Sequence, residues 1–260
     1  MENIPIRTME LTIDGRGRKY AVYVPEKIDP AHPIPLLLSF HGANGTGVSM
    51  IKKFHALADR DGFLLVAPDG FGKRWNAGLP EEIEATGNAD EAAFVDAILN
   101  VLNQIYSIDP CRIYACGFSN GAALCQILAL RPESRIAAIA CVGATLPLAA
   151  QNRFADAPPV SVLLLAGSED NFFGPQGSKL EWFMPADETA RLWAEHNGCV
   201  PDDAPAEFTR WINKNTGIEV LFGWIAGGKH SWRLSPALDT SATVWQFLRS
   251  HTKTVSIGVH

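Results

Sequence analysis

Little in this sequence marks a metal, phosphate or nucleic-acid protein. Its cysteines, Cys111, Cys116, Cys125, Cys141 and Cys199, are odd in number and never fall in a C-x-x-C or similar ligand spacing, so a thiolate metal site and a full disulfide framework are both disfavoured. Most are expected to be free and buried. Cys111 and Cys116 bracket one predicted strand at an odd spacing, which points their side chains to opposite faces and prevents a local bridge. H-E-x-x-H is missing, which argues against metal-dependent hydrolysis. G-x-x-x-x-G-K-[ST] and G-x-G-x-x-G are missing too, which disfavours a glycine loop that cradles phosphate. No metal and no cofactor are expected.

Charge is sparse. Charged residues make up 19% of the chain, the formal net charge is −6, and Lys and Arg form no cluster, so neither nucleic acid nor an anionic membrane surface is an expected partner. Small neutral molecules fit better, and the sequence sets no oligomeric state. No apolar run approaches membrane-spanning length, and residues 1–7 lack the basic start and apolar stretch of a secretory leader. The expected location is cytoplasmic, or outside the cell if a leader has been removed. Repeats and low-complexity segments are absent. Apolar residues are plentiful, 47% of 260, enough for a sizeable core. No composition shift separates two halves, so residues 1–260 are read as one domain.

Two β-like runs, 8–13 and 19–25, flank the turn signal Asp14-Gly15-Arg16-Gly17, which predicts an opening hairpin. Apolar runs of strand length then alternate with helical patterns. Strands are predicted at 35–40, 62–67, 112–116, 136–142, 160–166 and 218–225, and helices at 48–60, 90–106, 119–130, 185–196 and 238–251. Such alternation implies a mostly parallel central sheet with helices on both faces, an α/β fold. Segments 68–89 and 167–184 read as loops too long for mere connections, hence as candidates for substrate contact.

Gly117-Phe118-Ser119-Asn120-Gly121 matches G-x-S-x-G between an apolar strand and a helix, the setting of the nucleophile elbow in the α/β-hydrolase fold. Small flanking residues allow the sharp turn that lifts the serine hydroxyl off the sheet edge, and the following helix N-terminus faces negative charge developing there. A plain glycine-rich turn is the competing reading. Serine needs a base to take its proton, and in this fold the base lies C-terminal to it. Among the histidines, His196 closes a helix, and His251 and His260 lie at or near a tail expected to be mobile. His230 instead follows the last strand through Ala226-Gly227-Gly228-Lys229, at the edge that presents Ser119. The orienting carboxylate is expected after strand 160–166, where Asp170 is favoured over its neighbour Glu169. Backbone N–H groups of Asn120 and Ala43 are the expected oxyanion donors, with His41 either bracing the Ala43 loop or facing the substrate.

Taken together, His41-Gly42, Ala58-Asp59, Gly62-Phe63, Pro68-Asp69-Gly70, Trp75-Asn76, Phe94-Val95-Asp96, Gly117-Phe118-Ser119-Asn120-Gly121-Ala122 and Gly228-Lys229-His230-Ser231-Trp232 make the chain resemble the esterases related to polyhydroxybutyrate depolymerases and feruloyl esterases. The resemblance covers most of the chain. It implies an α/β-hydrolase fold, serine carboxylic ester hydrolysis of short-chain or aromatic acyl esters, whether small or oligomeric, and catalytic roles for Ser119, Asp170 and His230. Asn197-Gly198-Cys199 looks like the family segment that often supplies a disulfide cysteine, but the expected partner is absent, with Asn213-Lys214-Asn215 in its place. Trp75, Asn76, Phe172, Phe173, Trp182 and Trp232 are candidate substrate contacts, with ordinary packing as the alternative. A hydrolase-like binding module without turnover, and a peptidase or acyltransferase on the same triad, remain alternative functions.

Overall fold

A computed structural model describes residues 4–26, 28, 32–177, 179–205 and 207–253. The opening hairpin pairs β1 (Ile6–Ile13) with β2 (Arg16–Tyr23) in register Ile13↔Arg16. Asp14 and Gly15, both at positive φ, take the left-handed backbone conformation of a two-residue turn whose twist matches the right-handed twist of its strands. Then follow β3 (Ile34–Phe40), α1 (Gly47–Asp61), β4 (Leu64–Pro68), α2 (Pro80–Thr86), α3 (Glu91–Ile105), β5 (Ile108–Phe118), α4 (Asn120–Ala129), β6 (Ala138–Val142), β7 (Ser161–Gly167), α5 (Ala186–His196), β8 (Val200–Asp202), β9 (Phe208–Ile212), β10 (Glu219–Ile225) and α6 (Thr240–Arg249). Among the described residues, no helix is long and apolar enough to cross a membrane.

The strands form a 10-stranded sheet in the order β1-β2-β4-β3-β5-β6-β7-β10-β9-β8. From β4 to β10 neighbouring strands run parallel, while β1, β2, β9 and β8 extend the two ends antiparallel. This is the mostly parallel sheet of an α/β-hydrolase fold. Alternation along each strand divides the core. Leu36, Leu38 and Phe40 of β3 face α3, α4 and α5, and Leu37 faces α1 and α6. Neither strand face meets water, which is why these strands read as unbroken apolar runs.

Several elements depart from the sequence reading. Segment 68–89, expected to be irregular, contains α2 and a 3-10 turn at Phe71–Lys73. The edge strands β8 and β9 were not foreseen, because they are short, half-exposed and carry Pro201, so they lack the apolar signal of the central strands. His251 also differs. Rather than lying on a mobile tail it is buried, with Nε2 3.2 Å from Glu219 Oε1; His260 falls outside the described residues. All five cysteines are free, with Cys116, Cys125 and Cys141 buried and the other two half-buried.

α1 and α6 close one face through Phe63 and Trp245, whose rings stack at 3.8 Å with a 29° tilt, while Trp245 Nε1 donates to Asp61 Oδ2 at 2.6 Å. Phe63 is wholly buried. Phe63→Ala is expected to destabilise the fold by about 3–5 kcal/mol, read as a lowered urea midpoint at unchanged m-value. A change under about 1 kcal/mol would show that this face repacks without the ring.

Candidate active site

The parallel strands point their C-terminal ends to one edge, where the loops after β3, β5, β7 and β10 meet. There β5 gives way to α4 through Ser119, whose backbone stands at φ 52°, ψ −122°. A residue with a β-carbon adopts this left-handed geometry only under constraint. Glycines impose it. A β-carbon on Gly117 would overlap the Gly121 carbonyl, and one on Gly121 would meet the Phe40 and His41 carbonyl oxygens at 2.5 Å. Strand, helix and the β3 loop are therefore in backbone contact, and the Ser119 amide donates to the Val142 carbonyl at 2.9 Å.

The structure brings Asp170 and His230 onto Ser119. His230 Nε2 lies 2.9 Å from Ser119 Oγ, and Nδ1 lies 2.8 Å from Asp170 Oδ2. With Nδ1–H donating to the carboxylate, Nε2 presents its lone pair to the hydroxyl. Asp170 Oδ1 accepts from the Phe172 and Phe173 amides at 2.8 and 3.1 Å. Burial pushes the Asp170 carboxyl up, but the bond to His230 and the two amides outweigh it and hold the group below the usual carboxylate range. Glu169 stands exposed, with its amide on the Gly228 carbonyl. Sequence reasoning missed the device that joins the two loops. Gly167 lies so close to Gly228 that a β-carbon would overlap the Gly228 carbonyl, and Ser168 Oγ accepts from the Gly227 amide at 2.9 Å.

The Ala43 amide makes no hydrogen bond within the described residues, and Asn120, as the first residue of α4, has an amide without an intrahelical acceptor. Both are thus available to an anion beside Ser119. His41 does not face the substrate. It is buried, accepts from the Gly70 amide on Nε2 at 3.0 Å and donates from Nδ1 to the Gly42 carbonyl at 2.7 Å. Burial lowers its pKa, so it is a neutral brace. Trp75 is likewise wholly buried, its indole N–H donating to the His41 carbonyl at 2.8 Å, which replaces the expected cleft wall by an internal strut.

Of the other expected contacts, Asn76 spends its amide on Asn88, Ala89 and Gly78 within its own loop. Trp232 is buried on the α1 face, 5.6 Å from the Phe54 ring, with its N–H on Ser241 Oγ. Neither lines the site. Phe173 is buried against Phe183 at 5.2 Å and His230 at 6.0 Å, so it backs the site rather than opening to it. Phe172 is 44% exposed with its ring 4.9 Å from the imidazole, and Trp182 is 56% exposed. Phe118, not singled out from sequence, packs its ring 5.1 Å from His230. Its place inside the G-x-S-x-G motif was the available signal.

A family model described as Esterase PHB depolymerase matches residues 18–152. NocK of Nocardia uniformis subsp. tsuyamanensis, an esterase by designation, is 30% identical over 256 residues, spanning 86% of this chain and 73% of NocK. Feruloyl esterase C of Emericella nidulans is 24% identical over 194 residues, 72% of this chain and 64% of that protein, so the chain spans somewhat less than two thirds of that relative. The solved structure of a ferulic acid esterase from Anaeromyces mucronatus, in complex with ferulic acid, superposes with a TM-score of 0.64 at 16% identity, covering 95% of this chain and 90% of that one. Fold and family together make the chain a carboxylic ester hydrolase built on the α/β-hydrolase fold. It belongs to the esterase PHB depolymerase family.

The Gly167–Gly228 contact gives a direct test of the site's construction. Gly167→Ala is expected to part the Asp170 and His230 loops and lower kcat by about a hundredfold, the scale of an ångström misplacement, with a lowered urea midpoint equivalent to about 1–3 kcal/mol. Unchanged turnover on a p-nitrophenyl ester would show that the two loops do not depend on that approach.

Proposed function

We propose that the chain cleaves carboxylic esters through an acyl-enzyme on Ser119. The observation that carries this reading is the continuous chain from Ser119 Oγ through the His230 ring to Asp170, at 2.9 and 2.8 Å, on a backbone strained at the serine. Ser119 Oγ attacks the ester carbonyl carbon as His230 Nε2 takes its proton, and Asp170 stabilises the imidazolium that forms. The carbonyl electron pair moves onto oxygen, which faces the Ala43 and Asn120 amides. Collapse breaks the bond to the alcohol, which leaves with the proton from Nε2. Water then attacks the acyl group by the same route and frees the acid. Metal and cofactor have no part in these steps.

The half-exposed Phe172 beside His230, together with the ferulic acid esterase likeness, supports small or oligomeric esters with short or aromatic acyl groups as substrates. The single sheet running from β1 to β8 supports one esterase domain over 1–260. Free thiols at all five cysteines support a reducing, cytoplasmic location.

Ser119→Ala and His230→Ala are expected to abolish turnover, with fluorophosphonate labelling lost in Ser119→Ala. Asp170→Asn should cost roughly 10⁴ in kcat through the wrong imidazole tautomer, and Glu169→Gln less than about twofold. Labelling of Ser119→Ala to the wild-type extent would reject the assignment. Across p-nitrophenyl esters from C2 to C16 and methyl ferulate, kcat/KM should be highest for short or aromatic acyl groups. Phe172→Ala should lower it about 3- to 10-fold more for ferulate than for acetate, the scale of one aromatic contact. A maximum at C12 or longer would overturn the substrate reading.

A further inference from the structure

We infer that Glu82 is a positioning residue for ester cleavage: its buried carboxylate, acting through the Asn120 side chain, fixes the start of α4 against the loop after β3 and so sets the spacing of the two oxyanion amides. The inference rests on the roles proposed above for Ser119, Ala43 and Asn120.

Glu82 lies on α2, in the segment 68–89 that folds over the elbow. Its Oε1 accepts from Asn120 Nδ2 at 2.6 Å, and its Oε2 accepts from the amides of Ala77 and Leu79 at 2.9 and 3.4 Å. The Asn120 side chain is fully committed. Its Oδ1 accepts from the Trp75 amide at 2.7 Å, and Nδ2 also donates to the Trp75 carbonyl at 3.1 Å. Trp75 passes the constraint onward, with its indole N–H on the His41 carbonyl and its ring 4.9 Å from the His41 ring. The His41 carbonyl in turn lies against Gly121 of α4. The circuit Glu82–Asn120–Trp75–His41 therefore closes beside both oxyanion donors, and the side chains of Glu82 and Asn120 are spent on bonds within it rather than on the substrate.

The chemistry of the circuit requires a carboxylate. Each hydrogen bond made by Glu82 brings a donor to it, so a proton on either oxygen, or the NH₂ of a glutamine, sets donor against donor. Asn120 cannot turn over to compensate, because its Oδ1 is held by the Trp75 amide. Nearby charge gives little help: Glu81 on α2 repels it, and Arg18 is spent on Glu91, whose other oxygen takes the Asn76 amide. Among the described residues no cation pairs with Glu82. Burial pushes the group up to about 7, against the pull of the Ala77, Leu79 and Asn120 bonds. Turnover therefore depends on Glu82 being ionised.

Because Glu82 also caps the start of α2 through the Leu79 amide, a purely structural role would lower the melting temperature and leave the kinetics of folded enzyme alone. The test compares wild type, Glu82→Gln, Asn120→Ala and the double variant. It uses p-nitrophenyl acetate from pH 5.5 to 9, a phenylboronic acid as the tetrahedral mimic, and fluorophosphonate labelling. Each single variant is expected to lose about 10- to 100-fold in kcat, less than deletion of an oxyanion donor, with KM within about threefold and boronate affinity falling in step with kcat. The double variant should lose no more than the larger single. The acid limb of log kcat should lose its inflection near 7 in Glu82→Gln. Wild-type kcat in folded Glu82→Gln, multiplying losses in the double variant, or an unchanged acid limb would each overturn the inference. If Glu82→Gln fails to fold, Asn120→Ala, which keeps both loop bonds to Glu82, decides the matter by its kcat and boronate affinity. Wild type lacking Ser119-dependent labelling would overturn the catalytic assignment as well, whereas labelled, active wild type beside an unimpaired Glu82→Gln overturns this inference alone.

Discussion

A serine at φ 52° is held in place only if the structure on every side leaves it no alternative, and much of this fold supplies that constraint. β5 must arrive without a side chain at Gly117, α4 must leave without one at Gly121, and the β3 carbonyls must fill the space so created. Close backbone approach of three elements is a packing condition, met only when the sheet beneath is dry and rigid. The buried runs of β3, β5 and β6 provide it. The strain is local, and the core supports it.

The same device recurs where Asp170 and His230 meet. Gly167 and Gly228 let the ends of β7 and β10 touch, so Asp170 and His230 are set by backbone contacts rather than by their own side-chain packing. Two aromatic rings then pack against the imidazole, Phe118 at 5.1 Å and Phe172 at 4.9 Å. Geometry of this kind survives thermal motion because moving one reacting group means moving a strand end.

What the sequence made legible follows from range. Strand and helix alternation is a local pattern, and it placed the central elements within a few residues. The elbow motif, and the order serine, carboxylate, histidine along the chain, picked out the three side chains that the fold brings within hydrogen-bond distance. Interactions between distant segments were not legible. Nothing near Trp75 shows that its indole N–H meets the His41 carbonyl, and nothing near Trp232 shows that it faces α1. An aromatic residue in a loop carries no sign of whether it points to solvent or to core. Gly167 and Gly228 were visible as glycines, but their mutual contact spans two strands. β8 and β9 lacked signal because half-exposed edge strands bury too little to be selected for apolar alternation.

Glu82 and Asp170 are both buried carboxylates that accept several donors, and they respond to pH with opposite sign. Asp170, with an imidazole as well as two amides, is held below the ordinary range. Its contribution to stability is present above its unfolded value and is lost as pH falls through the folded one. Glu82 has donors but no cation, and burial prevails, lifting it from 4.5 to about 7. Its contribution is complete below the unfolded value and is lost as pH rises through about 7, so ionising it costs the fold stability. A neutral apolar side chain in that position would avoid this cost, and an arginine beside it would offset it. The fold uses neither at Glu82, although it pairs the adjacent buried Glu91 with Arg18 at 2.6 Å. A buried acid whose charged state opposes folding is hard to explain by stability alone, and one of the three bonds it accepts comes from Asn120, the residue that follows Ser119.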